Sequence, residues 1–201
     1  LVPPPVGGQH RVELNISVEV KKILKINEVE GTFRTRFVIR RQWLDPRLSY
    51  RNLKKESRVN LISPSEAATI WFPMLVFENI PSNVDWVEIV EHREYNIVRN
   101  VKDNFDPVDV TDIDNALMFS GDENSHYISK EYTVLWNCDF NMMWYPFDTQ
   151  TCPMQFKILN EFADRVKLNP QHLAYSGPTD LTQYMVIRSI MCEASVGEYE
   201  G

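Results

Sequence analysis

A strict alternation of apolar and polar residues near the start of the chain constrains its fold more than any other feature. From Val12 to Val20 every second residue is apolar, and the residues between are glutamate, asparagine or serine. Successive side chains of a β-strand point to opposite faces, so this pattern predicts a strand with one buried face. Thr35, Phe37 and Ile39 alternate in the same way with a valine and three arginines. We therefore expect a β protein.

Further short segments have the composition of strands and are separated by turn residues such as Asp45-Pro46 and Ser176-Gly177-Pro178. Many short strands with such breaks are typical of a sandwich or a barrel. A helix is expected either in Leu1–Arg11 after the prolines or around Ser63–Thr69, where Ser63 and Glu66 could form a capping box. We interpret residues 1–201 as a single domain. The further predicted strands are Val84–Val90, Tyr95–Val101, Ile128–Trp136, Cys152–Leu159 and Tyr184–Ile190.

Composition argues against several functions. The net charge of -7 disfavours binding to nucleic acid, and no stretch reaches the ~18 apolar residues that a membrane span needs. The aspartate-rich segment Asp103–Asn115 lacks the glycine and glutamate of a calcium loop, so we interpret it as a solvated loop and predict no metal site. We expect neither a cofactor nor an enzyme, because the chain has no phosphate loop or nucleophile elbow. Its four histidines show no ligand spacing: His10, His92, His126 and His172.

The cysteines carry the most specific pattern. Thirteen residues separate Cys138 from Cys152, and they include Tyr145-Pro146, a pair that favours a turn or a cis peptide, and Asp148, placed to cap its own backbone. If these cysteines pair, the closed ring stabilises the fold by roughly 3 kcal/mol; two buried free thiols are the alternative. Cys192 leaves an odd count. The sequon at Asn15 predicts glycosylation in a secreted context.

This loop resembles the signature disulfide loop of Cys-loop receptors, the pentameric ligand-gated ion channels. Two other segments resemble the family in the same order along the chain. Trp43–Leu48 is similar to the Trp-x-Asp segment that ends the second strand of these receptors. Trp71-Phe-Pro73, followed by Asn79, is similar to the binding segment called loop A, although Met74 replaces the usual aspartate. The resemblance extends from about Val12 to Ile190.

The resemblance implies a twisted immunoglobulin-like β-sandwich of about ten strands with a short N-terminal helix and a Cys138–Cys152 disulfide. Five identical subunits would form a ring at the extracellular face of the plasma membrane, with a small-molecule ligand between neighbours and a transmembrane domain outside this chain. The disulfide loop and the turn near Asn27–Gly31 would pass motion to the pore. A soluble, secreted binding protein of the same fold is the alternative. The predicted coupling residues are Glu28, Asp45, Phe147 and Asp148.

The resemblance also assigns a ligand pocket. Three positions that are aromatic in amine-gated members are Val38, Glu78 and Leu159 here, which disfavours a conventional acetylcholine or serotonin site. Arg40 matches an arginine that holds the ligand carboxylate in receptors for GABA and glycine, a task that suits guanidinium geometry. An ordinary basic strand face is the alternative for Arg40. The remaining predicted ligand residues are Met118, Tyr127 and Ser129 on the complementary face and Tyr199 near the C-terminus.

Overall fold

The structure is a computed structural model that describes residues 1–4, 11–82, 87–100, 117–159 and 165–189, with side chains from residue 94 onward in the third range. The fold is all-β, as predicted. Two short helical segments accompany the strands: a 3-10 turn at Ser57–Val59 and helix α1 at Pro64–Ala67. The strands are β1 (Val12–Asn27), β2 (Thr32–Trp43), β3 (Ser49–Arg51), β4 (Leu75–Phe77), β5 (Val87–Val98), β6 (Met118–Ser120), β7 (Ser125–Asn137), β8 (Phe156–Ile158) and β9 (Val166–Tyr175).

One five-stranded sheet organises the described part of the chain. Its strand order is β5-β7-β2-β1-β9, so β2 is central. Strand β1 pairs with β9 in parallel, and the other pairs of this sheet are antiparallel. Two small antiparallel ladders, β3–β6 and β4–β8, accompany it. These sheets form a sandwich-like arrangement, as the alternating strands predict.

Alternation along β1 and β2 builds the core. The even residues from Val12 to Val20 are buried, as predicted, and in β2 the buried face carries Phe33, Phe37, Ile39 and Trp43. The ring of Phe37 stacks on Tyr132 of β7 and meets Phe77 of β4 edge-on, with centroids 5.8 and 6.0 Å apart. The large sheet therefore packs on the β4–β8 ladder through aromatic rings, whose edge-to-face contacts add to the hydrophobic gain.

Helix α1 confirms the prediction around Ser63. The Ser63 hydroxyl accepts a hydrogen bond from the Glu66 amide, and the Glu66 carboxylate accepts one from the Ser63 amide at 2.9 Å. This reciprocal capping box stabilises a helix of only one turn. The other predicted helix is not observed in residues 1–4, and its remaining part, residues 5–10, lies outside the described residues.

Several predicted strand boundaries are wrong. Strand β5 runs continuously where two strands were expected, with a register shift between Val90 and Arg93 that absorbs the irregularity. Only Phe156–Ile158 of the predicted strand Cys152–Leu159 pairs with a neighbour. Residues 184–189 contain an isolated bridge from Met185 to Asp180 and no strand. Alternation alone does not make a strand there, because a strand also needs a neighbour to receive its hydrogen bonds.

A cluster of buried polar side chains lies at the end of β2. His126 is fully buried, and its ring stacks on Trp43 with centroids 5.0 Å apart. Its Nε2 lies 2.8 Å from the Tyr50 hydroxyl and its Nδ1 lies 3.2 Å from that of Tyr95. Burial lowers the pKa of His126 to about 4, although the nearby Asp45 carboxylate opposes this shift. The imidazole therefore stays neutral in the folded protein at physiological pH.

We expect acid to destabilise the protein through His126. The unfolded chain binds a proton at this residue below about pH 6.5, whereas the folded protein binds it only near pH 4. The stabilising contribution is therefore complete above pH 6.5 and is lost as the pH falls towards 4, by about 3 kcal/mol in total. Equilibrium urea unfolding across this range measures the slope.

His126→Gln tests this assignment, and His172→Gln is its matched control, since His172 is exposed on β9. The first substitution should flatten the acid limb of the stability curve, and the second should leave it as in the native sequence. An equal slope in all three proteins would contradict the assignment to His126.

Candidate functional site

The outward face of the large sheet brings together three of the predicted ligand residues. Arg40 of β2 lies opposite Ser129 of β7, and the next outward pair is Gln42 with Tyr127. On its other side Arg40 lies opposite Ser17 of β1. These residues share one face of the sheet. Arg40 and Gln42 are two residues apart on β2, as Tyr127 and Ser129 are on β7, and paired residues on neighbouring strands point to the same side. We call this group of five the polar row: Ser17, Arg40, Gln42, Tyr127 and Ser129.

Arg40 already has an anionic partner inside the chain. Its Nη2 donates to Glu19 Oε2 at 2.6 Å, and Lys21 and Ser176 also bond Glu19. The hydrogen bonds from Lys21 and Arg40 hold the pKa of Glu19 at about 2, so this carboxylate stays ionised at physiological pH. The Glu19 bond likewise raises the pKa of Arg40. The Arg40 side chain is 35% exposed, so part of the guanidinium remains accessible.

A cavity of about 210 Å³ lies along the polar row. Amide side chains from β1 and β9 form its other wall, where Asn15 Oδ1 accepts hydrogen bonds from Asn169 at 2.8 Å and Gln171 at 3.1 Å. Asn15, the predicted glycosylation site, is therefore half-buried in a strand between two others, and its modification stays a prediction. The lining residues are Asn15, Ser17, Arg40, Arg41, Gln42, Tyr127 and Gln171.

Two other predicted ligand residues lie in a different sheet. Glu78 follows β4, and its carboxylate pairs with Lys157 of β8 at 2.6 Å. The backbone amide of Leu159 donates to Met74 at 3.1 Å, which places Leu159 at the opposite end of this ladder. The β4–β8 ladder and the polar row are thus separate parts of one chain.

The remaining predicted ligand residues do not join either group. Val38 lies on the outward face but is only 8% exposed. Met118 is exposed on β6, where it pairs with Arg51 of β3. Tyr199 lies outside the described residues.

Arg41 is a residue that the sequence analysis missed. It lies on the core face of β2 opposite Ile16 and Ile128, and it is 3% exposed. Its Nη1 donates to the backbone oxygen of Pro73 at 2.6 Å, and burial lowers the pKa of its guanidinium. Alternation with Phe37 and Ile39 was the available indication, because it places residue 41 inside. Arg41 therefore ties β2 to the segment that precedes β4.

The Cys138–Cys152 disulfide is present, with Cα atoms 5.2 Å apart, and the Tyr145-Pro146 peptide is cis. Gln150 bridges the loop, because its amide contacts Asp148 and the backbone of Asn141. The tip of the loop presents large apolar side chains to solvent, and Phe147 is 92% exposed. We call them the apolar tip: Met143, Trp144, Tyr145 and Phe147.

The turn that contains Glu28 lies against the root of this loop. The backbone amide of Cys138 donates to Gly31 at 2.8 Å, and that of Gly31 donates to Glu28 at 3.3 Å. Gly31 has a φ of 63°, and an added Cβ would lie 3.2 Å from the Cys138 oxygen, so glycine suits this close approach. Glu28, Phe147 and Asp148 therefore belong to one end of the sheet.

Asp45 lies elsewhere. It follows Trp43 at the far end of β2, whereas Thr32 at the near end pairs with Asn137 beside the loop. Asp45 is fully buried and accepts hydrogen bonds from the Arg47 guanidinium at 2.9 and 2.7 Å. A strand of twelve residues therefore separates Asp45 from the disulfide loop, and its coupling role stays a prediction.

The family described as the neurotransmitter-gated ion-channel ligand binding domain matches residues 1–195. The chain therefore belongs to this family and is a ligand-binding domain of the Cys-loop receptor type.

Curated relatives agree with this assignment. The chain is 24% identical to the chicken (Gallus gallus) acetylcholine receptor subunit gamma over 82% of its own length, and 23% identical to the rat (Rattus norvegicus) glycine receptor subunit beta over 78%. It is 25% identical to the proton-gated ion channel subunit pbo-6 of Caenorhabditis elegans over 84%. It spans 27%, 27% and 33% of these relatives.

Two features are absent from the described residues. None of their helices is long and apolar enough to cross a membrane. They also contain no group of three or more histidine, cysteine, aspartate or glutamate side chains that could hold a metal ion. The aspartate-rich segment Asp103–Asn115 lies outside the described residues.

Removing the disulfide should destabilise the domain. The bond closes a ring of fifteen residues, since the sequence separation is 14, and loss of such a ring costs about 3 kcal/mol from chain entropy. We expect this loss in Cys138→Ser/Cys152→Ser, measured by urea unfolding without reductant. The double variant and the parent protein with which it is compared should both carry Cys192→Ser, which prevents thiol exchange with this cysteine. Equal unfolding midpoints with and without the ring would contradict the expectation.

Proposed function

We propose that the chain is the extracellular ligand-binding domain of a pentameric ligand-gated ion channel. Five identical subunits form a ring, a small molecule binds between neighbours, and the disulfide loop passes the signal to a membrane domain. Family membership supports this proposal. The apolar tip supports it independently, because side chains as exposed as Phe147 mark a surface that another part of the protein covers.

The separation of the two predicted groups of ligand residues supports a site between subunits. Arg40, Tyr127 and Ser129 lie on the outward face of the large sheet, while Glu78 and Leu159 lie at the ends of the β4–β8 ladder. In a ring of identical subunits, the polar row of one subunit can face the ladder of the next. Such a heterologous interface repeats around a closed ring.

The chemistry of the polar row favours a ligand with a carboxylate or a similar acceptor. Arg40 is the cation of this row, and its partly exposed guanidinium has donors beyond the one that Glu19 accepts. The hydroxyls of Tyr127 and Ser129 lie on the same face. An aromatic cage for an amine is not supported, since Val38, Glu78 and Leu159 offer no π surface. The observation that carries this proposal is the alignment of Arg40 with Tyr127 and Ser129.

Currents from the full-length protein in oocytes test the channel and its ligand class together. We expect glycine, as a simple amino-acid probe, to open the channel and Arg40→Ala to raise its half-maximal concentration by about 10-fold or more, the loss expected for a charge-assisted hydrogen bond. Arg36→Ala is the matched control, because Arg36 lies on the same face and pairs with Glu131 instead.

Three outcomes would count against this proposal. Opening by micromolar acetylcholine that Arg40→Ala does not change would contradict the carboxylate ligand. Equal loss in Arg36→Ala would assign the effect to the charge of the whole face. Secretion of the protein without any current would favour the soluble alternative.

Glu19 should weaken the binding of carboxylates. It occupies one edge of Arg40, so a ligand carboxylate meets a cation that is already partly neutralised. We expect Glu19→Gln to lower the half-maximal glycine concentration by about tenfold, through the loss of like-charge repulsion. Glu131→Gln, which releases Arg36, is the control and should have little effect. An unchanged or higher half-maximal concentration in Glu19→Gln would contradict this role.

A further inference from the structure

Asn79 makes an unusual set of contacts. It lies just after β4, one residue beyond Glu78. Its Nδ2 donates to the backbone oxygens of Asn137 at 3.1 Å and Pro153 at 2.7 Å, and its Oδ1 accepts from the Gln155 amide at 2.8 Å. Its backbone oxygen accepts from the Asn137 amide at 2.7 Å. One residue thus uses its side-chain donor, side-chain acceptor and backbone together.

These contacts fall on both roots of the disulfide loop. Asn137 immediately precedes Cys138, and Pro153 immediately follows Cys152. The side-chain amide of Asn79 therefore joins the two segments that enter and leave the loop, directly outside the disulfide bond. Asparagine suits this position, because an aspartate of equal length lacks the donors and a glutamine reaches one methylene further.

The β4–β8 ladder ends at the same place. The Glu78 amide donates to Gln155 at 2.9 Å, next to the bond from Gln155 to Asn79. The loop root is held from a second direction by the bond from Cys138 to Gly31. A continuous set of hydrogen bonds therefore connects Glu78 to the loop root through Gln155 and Asn79.

We propose that Asn79 is the positioning residue that locks the β4–β8 ladder to both roots of the Cys138–Cys152 loop, so that ligand contact near Glu78 moves the loop. This inference rests on the proposed function for its signal, but the lock itself can be tested without a ligand. Asn79 would act through the loop and would not touch the ligand.

Asn79→Asp is the sharpest substitution. It keeps the size of the side chain and the acceptor for Gln155, but it replaces both donated bonds with a carboxylate that faces two carbonyl oxygens. Asn60→Asp is the matched control. Asn60 also makes three side-chain bonds to backbone, to the amide and oxygen of Lys54 and to the oxygen of Ile97, and none of these partners belongs to the loop.

The first experiment measures hydrogen exchange in the full-length protein without ligand. We expect Asn79→Asp to accelerate exchange of amides in residues 138–152 by about 10-fold or more, the effect of losing two hydrogen bonds that hold the loop roots together. Asn60→Asp should leave these amides unchanged. Equal exchange in Asn79→Asp and the native protein would contradict the proposal that Asn79 holds the two loop roots.

The second experiment separates signalling from structure. In oocytes with glycine as the probe and surface receptors counted, we expect Asn79→Asp to raise the half-maximal concentration about 10-fold or to reduce the maximal current per receptor. Asn79→Gln, which keeps the amide donors one methylene further out, should recover part of this loss. A normal concentration dependence together with a normal maximal current per surface receptor in Asn79→Asp would overturn the signalling role.

The two proposals fail in different ways. If the native protein gives no current with glycine, the proposed ligand class is wrong, and the exchange experiment still decides whether Asn79 holds the loop. If the native protein responds and Asn79→Asp responds equally, only the role of Asn79 is wrong.

Discussion

The register of β2 between β1 and β7 is the constraint on which the rest of the structure depends. Residues 37, 39, 41 and 43 face the core, while residues 36, 38, 40 and 42 face outward. A slip by one residue would bury the polar row and expose the aromatic core, so the apolar packing of Phe37 and Trp43 fixes the position of Arg40. The candidate ligand face is thus a direct consequence of how the core packs.

The same strand connects both ends of the domain. At one end Trp43 stacks on His126, and Arg41 donates to Pro73, so the segment before β4 is fixed to the large sheet. At the other end Thr32 pairs with Asn137 at the root of the disulfide loop. The segment before β4 and the root of the disulfide loop are therefore attached to one central strand, through side chains at one end and backbone pairing at the other.

Sequence predicts what is local and periodic in this protein. The alternation of β1 and β2, the capping box at Ser63 and the tight Cys138–Cys152 loop all depend on neighbours close in sequence. The Glu19–Arg40 and Asn79–Pro153 contacts join residues 21 and 74 positions apart, and no local pattern specifies such pairs. The predicted strand at residues 184–189 is not observed for a related reason. An alternating segment becomes a strand only when tertiary structure supplies a partner strand.

The disulfide loop combines a fixed base with an uncovered tip. Its roots are held by the covalent bond, by Asn79 and by Gly31, and Gln150 braces its interior. The large apolar side chains at its tip are instead exposed to solvent. Covering them with another surface would be favourable, because it would remove apolar area from water. In the proposed receptor, a shift at the roots would pass through these contacts to the tip. The strength of the hold at Asn79 would then set how much of a displacement at the ladder reaches Phe147.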